Sequence, residues 1–449
     1  MMKKLVLAGM SVILPLGLIA CSNDEGSKDG ASSASNENVL KVTYPSWWED
    51  WFKGLEADFE AANEGVDVQL VPLHDDVTTK QAMMMKSAET APDVAVEDTY
   101  ILNSDVNAGY LSPMDDIVNN WDEWKNFEPT THQGVTGLDG KIYGVPFSTD
   151  VQGLWYNKNI LAEAGLSDFA PKSWEEVLSA AEAVKASASK DVIPLFMYTS
   201  KATGEGTSMR TFQVLYSGTG SSLYDYDEQK WVVDEKALTD TFEFINTVSK
   251  KEIGAAPSVA ANSQVSSLLA EDLMMNDKVA MVMDGNWVAG TWREGRATPW
   301  PEALDTWGFI PFPTQTGQDP GFTSMSGGWA LSIPAKANNK DLAAEFIKMA
   351  VDGEHQLEYV TKTGDMTVRT DVAEKDEYLN QPLSNYREAG EILTYTHFRP
   401  AIDEYPAIST HIQEVVESVA TGAISPEQAV KNYETGLKRI VGEESIVNK

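Results

Sequence analysis

The chain has 449 residues, 42% of them hydrophobic and 13 of them tryptophan, which suffices for two lobes of ordinary size and argues against disorder over its bulk. Its 68 Asp and Glu against 34 Lys and Arg give a formal net charge of −34, a surface that repels phosphate backbones and argues against nucleic acid as a partner. The single cysteine, Cys21, rules out an internal disulfide and a cysteine-built zinc site, and the five histidines show no HxxxH or HExxH spacing, so neither metal nor cofactor is expected.

Lys3 and Lys4 precede an apolar run from Leu5 to Ala20, interrupted by Gly9, Pro15 and Gly17. It is too short and too broken for a comfortable membrane span and has the layout of a secretory signal, residues 1–20. Ser22 to Asn38 carries no large apolar side chain. With Cys21 it reads as a flexible tether, residues 21–38, with an r.m.s. reach of roughly 20–25 Å.

Val39 to Tyr44 alternates as a first strand, and Trp48, Phe52, Leu55 and Phe59 fall on one face of a helix. Val66 to Val71 is a second strand, Gln81 to Ala88 a helix, and Pro92 to Val96 a third strand. Strand and helix in this alternation predict a parallel α/β lobe, whose ligands sit beyond the carboxyl ends of its strands. That rule selects Pro45 to Glu49, His74 to Asp76, and Glu97-Asp98. Asp139 to Lys158 then gives a turn, a short apolar strand, Pro146, and a second extended segment from Asp150. This is the pattern of a chain passing between lobes.

Ser173-Trp174-Glu175-Glu176 is a capping box opening a helix, Ile193 to Tyr198 is a strand, and the loop from Thr203 to Ser208 feeds a helix carrying Arg210. Val279 to Met283 is a buried strand running into Asp284-Gly285-Asn286-Trp287. Trp307 to Pro311 is expected as a strand back on the first lobe. Met325 to Pro334 is a second crossing, and Leu342, Phe346 and Met349 mark a helix on the first lobe. A third passage is expected near Thr363 to Arg369, and Ser425-Pro426-Glu427-Gln428 caps the last helix.

Several of these segments also carry a family likeness. Leu18-Ile19-Ala20-Cys21 resembles the lipobox of bacterial lipoproteins, which implies lipidation at Cys21 and an N-terminal lipid anchor on the membrane. DGKIYGVPFSTDVQGLWYNK resembles the hinge of ABC-transporter extracellular solute-binding proteins of the sugar-binding type (family 1). LMMNDKVAMVMDGNWV, WGFIPFP, GGWALSIPAKANNKDLAAEFIKMA and the capped last helix follow in that family's order. The likeness covers nearly the whole chain after the tether.

It implies an α/β, two-lobed, periplasmic-binding-protein-like fold with parallel-type sheets flanked by helices and a multi-segment hinge. Residues 39–150 and 305–360 would form the N-terminal lobe, and residues 151–304 and 361–449 the C-terminal lobe. The implied function is the extracytoplasmic, lipid-anchored binding component of an ABC sugar importer. It would act as a monomer without catalysis, delivering a neutral sugar to a membrane permease. The paired and plentiful tryptophans lean towards an oligosaccharide. The alternatives are a binding protein for another solute (a peptide, polyol or oxyanion) and a glycoside-active enzyme. No GxSxG and no phosphate loop is present.

A pyranose offers apolar faces and a rim of hydroxyls, so its site wants aromatic plates with carboxylate, amide or arginine groups at the edge. On the family pattern the stacking tryptophan is Trp287, following Asp284. Gly327 and Gly328 let backbone approach the ligand beside Trp329, and Asp150 is the acidic hinge position. After the first strand Trp47 is favoured for the cleft, with Trp48 packing down. Glu49 is a ligand candidate or a plain helix-start carboxylate. Asp98 is favoured over Glu97, and Arg210 and Arg369 complete the candidates, the latter also readable as a lobe-to-lobe ion pair.

Overall fold

The computed structural model describes residues 38–449 apart from Asp75 and Lys190. The signal, most of the tether and Cys21 lie outside the described residues.

Before the first crossing the chain forms β1 (Val39–Pro45), β2 (Asp67–Leu73), β3 (Val94–Asp98) and β4 (Val145–Thr149). After it come β5 (Gln152–Asn157), β6 (Ile193–Phe196), β7 (Tyr224–Asp225), β8 (Lys230–Val233), β9 (Val279–Gly285) and β10 (Trp307–Ile310). The remaining strands are β11 (Phe312–Pro313), β12 (Phe322–Ser326), β13 (Gly328–Ser332), β14 (Thr396–Phe398) and β15 (Ile446–Asn448). Two main sheets result, ordered β2-β1-β3-β13-β4 and β10-β5-β9-β6, with two small three-stranded sheets beside them.

The first three strands are parallel, as their alternation with helices predicts. The sheets as wholes are mixed, which corrects the parallel expectation. β13 runs antiparallel to both β3 and β4, and β9 is antiparallel to β5 but parallel to β6. The cause is the crossing itself. β13 enters the first sheet directly from β12, without the helical return that would make it parallel.

A second correction concerns Trp307–Ile310. Expected on the first lobe, this strand pairs with β5 of the second sheet, Trp307 opposite Asn157 and Ile310 opposite Leu154. Phe309 lies 4.9 Å from Trp155, and Trp307 donates from Nε1 to the Met274 carbonyl at 3.3 Å, so buried second-sheet aromatics hold it. The chain rejoins the first sheet only at β13.

Helix α1 (Glu49–Ala62) buries Trp51, Phe52, Leu55 and Phe59. Trp51 meets Tyr359 at 4.6 Å and Phe59 meets Phe346 at 5.2 Å, which seats the Lys340–Ala350 and Gly353–Thr363 helices on the first lobe. The Tyr405–Ala420 and Pro426–Val441 helices pack on the second lobe, with Tyr433 6.0 Å from Phe212. The expected cap forms there: Ser425 Oγ accepts the Gln428 N–H at 3.3 Å. Ser425→Ala should therefore cost about 1 kcal/mol in a thermal or urea melt, the usual worth of such a cap.

Candidate functional site

β1 ends at Pro45, and a tight 3-10 turn, Ser46–Trp48, follows. This turn separates the tryptophan pair: Trp48 is 5% exposed and Trp47 is 50% exposed. Trp48 donates from Nε1 to Asp365 at 3.1 Å and meets Phe147 edge-on at 5.1 Å, so it is anchored downward. The antiparallel register places Trp329 opposite Asp98 on β3. Trp329 then lies 5.1 Å from Trp48 and 5.9 Å from Trp47, completing an aromatic wall on the first lobe.

The facing wall is built at the end of β9. A Cβ on Gly285 would lie 2.0 Å from the Trp287 ring, so glycine there is what lets Trp287 fold back over the strand end. The Arg210 guanidinium is sandwiched 4.8 Å from the Trp287 ring and 4.9 Å from Tyr198. Asp284, 3% exposed, accepts from Arg210 at 3.1 Å, from Tyr198 Oη at 2.6 Å and from its neighbour's amide at 2.8 Å. Asp284 thus fixes Arg210 from behind and does not itself line the cleft.

The floor lies where the chain crosses between lobes. Asp150 accepts the Gly327 N–H at 3.1 Å and the Gln152 amide at 3.2 Å, and burial pushes its carboxyl up to about 6. Arg399 joins Asp98 at 2.7 Å to Glu205 at 3.3 Å, its guanidinium 4.5 Å from the Tyr100 ring. Burial pushes Asp98 above its usual value against the pull of Arg399, while the 2.7 Å charge-assisted contact keeps it paired. A Cβ at Gly327 would meet Arg399 Nη2 at 2.7 Å, and one at Gly328 the Ser148 carbonyl at 2.7 Å. The two glycines are a close-approach requirement.

Walls and floor enclose a cleft of about 460 Å³. Of the residues expected from sequence, Trp47, Trp48, Asp98, Asp150, Arg210, Trp287, Gly328 and Trp329 line it. Gly327 and Asp284 stand immediately behind. Two do not belong. Glu49 pairs with Lys53 at 2.8 Å along the surface of α1, one helical turn on. Arg369 is 2% exposed and committed to Glu123 and Asp371, each at 2.7 Å, and to the Val351 carbonyl at 3.0 Å. Glu97, the neighbour passed over for Asp98, is 1% exposed and faces inward to Gln81.

Sequence reasoning missed Glu205, Arg399, Arg296 and Asp365, all of which line the cleft. Glu205 had a signal, since it sits inside the Thr203–Ser208 loop read as a helix entry. Arg399 had none, because only the pairing of β14 with β12 brings it to the floor. Among the described residues no group of three or more His, Cys, Asp or Glu is placed to hold a metal.

A family model described as "Bacterial extracellular solute-binding protein" matches residues 55–385. The maltodextrin-binding protein MdxE of Bacillus subtilis is 23% identical, the alignment covering 96% of this chain and 96% of that protein. Binding proteins of Brucella abortus are 28% identical over 181 residues, so the chain aligns with only 40% of their length. Among solved structures, the GacH receptor of Streptomyces glaucescens, known unliganded and with acarbose, superposes with a TM-score of 0.77 at 21% identity. That match covers 90% of this chain and 98% of the receptor, and it establishes the two-lobed fold.

Proposed function

The chain belongs to the bacterial extracellular solute-binding proteins, and from that premise we propose that it captures a neutral oligosaccharide between its lobes for an ABC importer. The observation that carries this reading is the pair of tryptophan walls, Trp47 with Trp329 and Trp287 facing them, over a floor whose charges are already paired. Aromatic plates suit the apolar faces of pyranose rings. Asp98, Asp150, Glu205 and Arg210 suit the hydroxyl rim. Arg399 is committed to Asp98 and Glu205 and Arg210 to Asp284, so the cleft's buried cations are already answered and a neutral ligand is favoured.

In this reading the contacts come from both lobes, so ligand favours the closed arrangement, the only one that makes both sets at once. The hinge runs through Asp150 and Gly327, the first lobe taking β13 and the helices that follow it, the second lobe keeping β10. The loaded protein docks on a membrane permease whose ATPase supplies the energy. Cys21, acylated, holds the protein at the outer membrane surface as a monomer. The maltodextrin named for MdxE and the acarbose bound by GacH support a saccharide over a peptide, and binding over hydrolysis.

A thermal-shift screen against mono- and oligosaccharides, polyols, short peptides and oxyanions tests the reading. Ligand at 100 times its dissociation constant adds about 2.7 kcal/mol to folding stability. Shifts confined to one sugar series are expected; shifts from a peptide or an anion alone would overturn the sugar assignment. Trp287→Ala should weaken that sugar about ten-fold, the worth of roughly 1.4 kcal/mol, by calorimetric titration. Unchanged affinity would remove Trp287 from the site.

A further inference from the structure

The cleft does not stop at its tryptophans. A second chamber of about 310 Å³ opens beside it, and the two share Trp47, Trp48, Arg296 and Thr363 as common wall. Trp47 is the exposed member of that wall, and its two aromatic neighbours meet it at 62° and 74°, so among the described residues no ring stacks on it. The far side of the chamber is made by Asp50 from the first turn of α1 and by the turn Arg293-Glu294-Gly295.

That turn is held firmly. Arg293 donates to the Val360 carbonyl at 3.1 Å, to Gln381 at 2.9 Å and to Tyr386 Oη at 2.8 Å, and Gly295 takes a φ of +86°. Glu294 is thereby presented on a fixed backbone. The polar groups here differ from those of the inner floor. Inside, Asp98, Glu205 and Arg399 are bound to each other, as are Arg210 and Asp284. In the outer chamber neither the Asp50 nor the Glu294 carboxylate has a hydrogen-bond partner among the described residues, and the Arg296 side chain makes one long bond, 3.4 Å to the Lys362 carbonyl.

We infer that the outer chamber is a second binding subsite that receives the continuation of an oligosaccharide threaded past Trp47, with Asp50 and Glu294 accepting its hydroxyls. Asp50 and Glu294 share the chamber with Arg293, Arg296 and Lys362, so neither sign of charge dominates it, and hydroxyl-accepting carboxylates beside the unstacked face of Trp47 suit a saccharide chain. Asp50 opens α1 and the Glu294 turn is fixed to the Gly353–Thr363 helix, so a chain long enough to reach both adds contacts beyond the inner cleft that a short one lacks. The inference rests on the sugar reading of the inner cleft and predicts how affinity depends on length.

Calorimetric titration of the full-length protein with 1,4-linked glucose and N-acetylglucosamine ladders, from one to seven units, tests it. In the native protein the affinity should climb ten-fold or more once the chain outgrows the inner cleft. Asp50→Ala with Glu294→Ala should abolish that climb and leave the shorter binding members within two-fold of the native protein. Equal affinity for short and long members, or the same loss on both in the double variant, would overturn the outer subsite while leaving the sugar reading intact. Silence across both ladders in the native protein would overturn the outer subsite for these chains, while the broader thermal-shift screen decides the sugar reading itself.

Discussion

Replacing Arg399 with glutamine is expected to destabilise the protein by about 3–5 kcal/mol at pH 7, the typical loss when one partner of a buried ion pair is removed. The guanidinium is 6% exposed, and its partners Asp98 and Glu205 are 13% and 27% exposed. Glu205 keeps the Tyr405 hydroxyl at 2.8 Å and also accepts from Ser409, and its partial exposure lets water compensate, which argues for the lower half of that range. Asp98 has less relief, keeping only the long bond from the Tyr100 N–H at 3.4 Å. Burial already pushes it up, and without the guanidinium it takes a proton to escape. The deficit should therefore shrink as pH falls from 7 to 5, and Asp98→Asn added to the glutamine variant should restore part of the loss. Urea unfolding of the three proteins at both pH values measures this. A loss below 1 kcal/mol would make Arg399 a bystander, and one identical at both pH values would mean that Asp98 takes no proton in the variant. Because Asp98 ends β3 and Glu205 precedes the Gly206–Gln213 helix of the second lobe, the same variant loosens the floor on which the two walls stand.

Local pattern carried the first lobe and missed the parts decided by distant partners. β1, α1 and β3 were readable because strand alternation and the helical face of Phe52, Leu55 and Phe59 are short-range properties. The Ser173 and Ser425 caps were readable for the same reason, each a hydroxyl bonded three residues on. Trp307–Ile310 was not placeable, since an apolar strand of that kind suits either sheet and Trp155 makes the choice. At the site, aromatic identity and the Gly327-Gly328 pair marked the right residues because stacking and close backbone approach demand particular residue types. Charges were less legible. Glu49 and Arg369 have the right chemistry facing the wrong way, and the pairing of Arg399 with Asp98 spans 301 positions. No periodicity links such a pair.

Behind the floor lies a second buried charge problem, and it gives the protein its largest expected pH dependence. Glu97 and Asp105 are 1% and 5% exposed and act on each other electrostatically; two buried carboxylates repel, so the pair is favoured while it holds a proton. Gln81 donates to Glu97 at 2.7 Å, while Asp105 Oδ2 has no donor among the described residues. Burial, and then the Asp105 charge, push Glu97 well above its usual value; burial pushes Asp105 up to about 6. Both folded values exceed those of the unfolded chain. The stability they contribute is therefore fully present below about pH 4 and is lost as pH rises through about 6, and again as Glu97 deprotonates at higher pH. Glu97→Gln puts a permanent amide donor against Asp105 and removes the titration of Glu97, leaving that of Asp105, which burial raises. Urea unfolding from pH 5 to 9 should show the native protein losing stability relative to the variant as pH rises and Glu97 deprotonates. Asp105 sits on the Leu102–Asn107 helix, whose Asn103 and Asn107 reach the Ala401 carbonyl and Asp403 at 2.6 and 2.7 Å, and Glu97 adjoins Asp98. Separation of the two carboxylates at high pH would thus pull on both sides of the Arg399 clamp, and sugar affinity should weaken with stability in the native protein but not in the variant. Parallel pH profiles for the two proteins would mean that no proton is shared there.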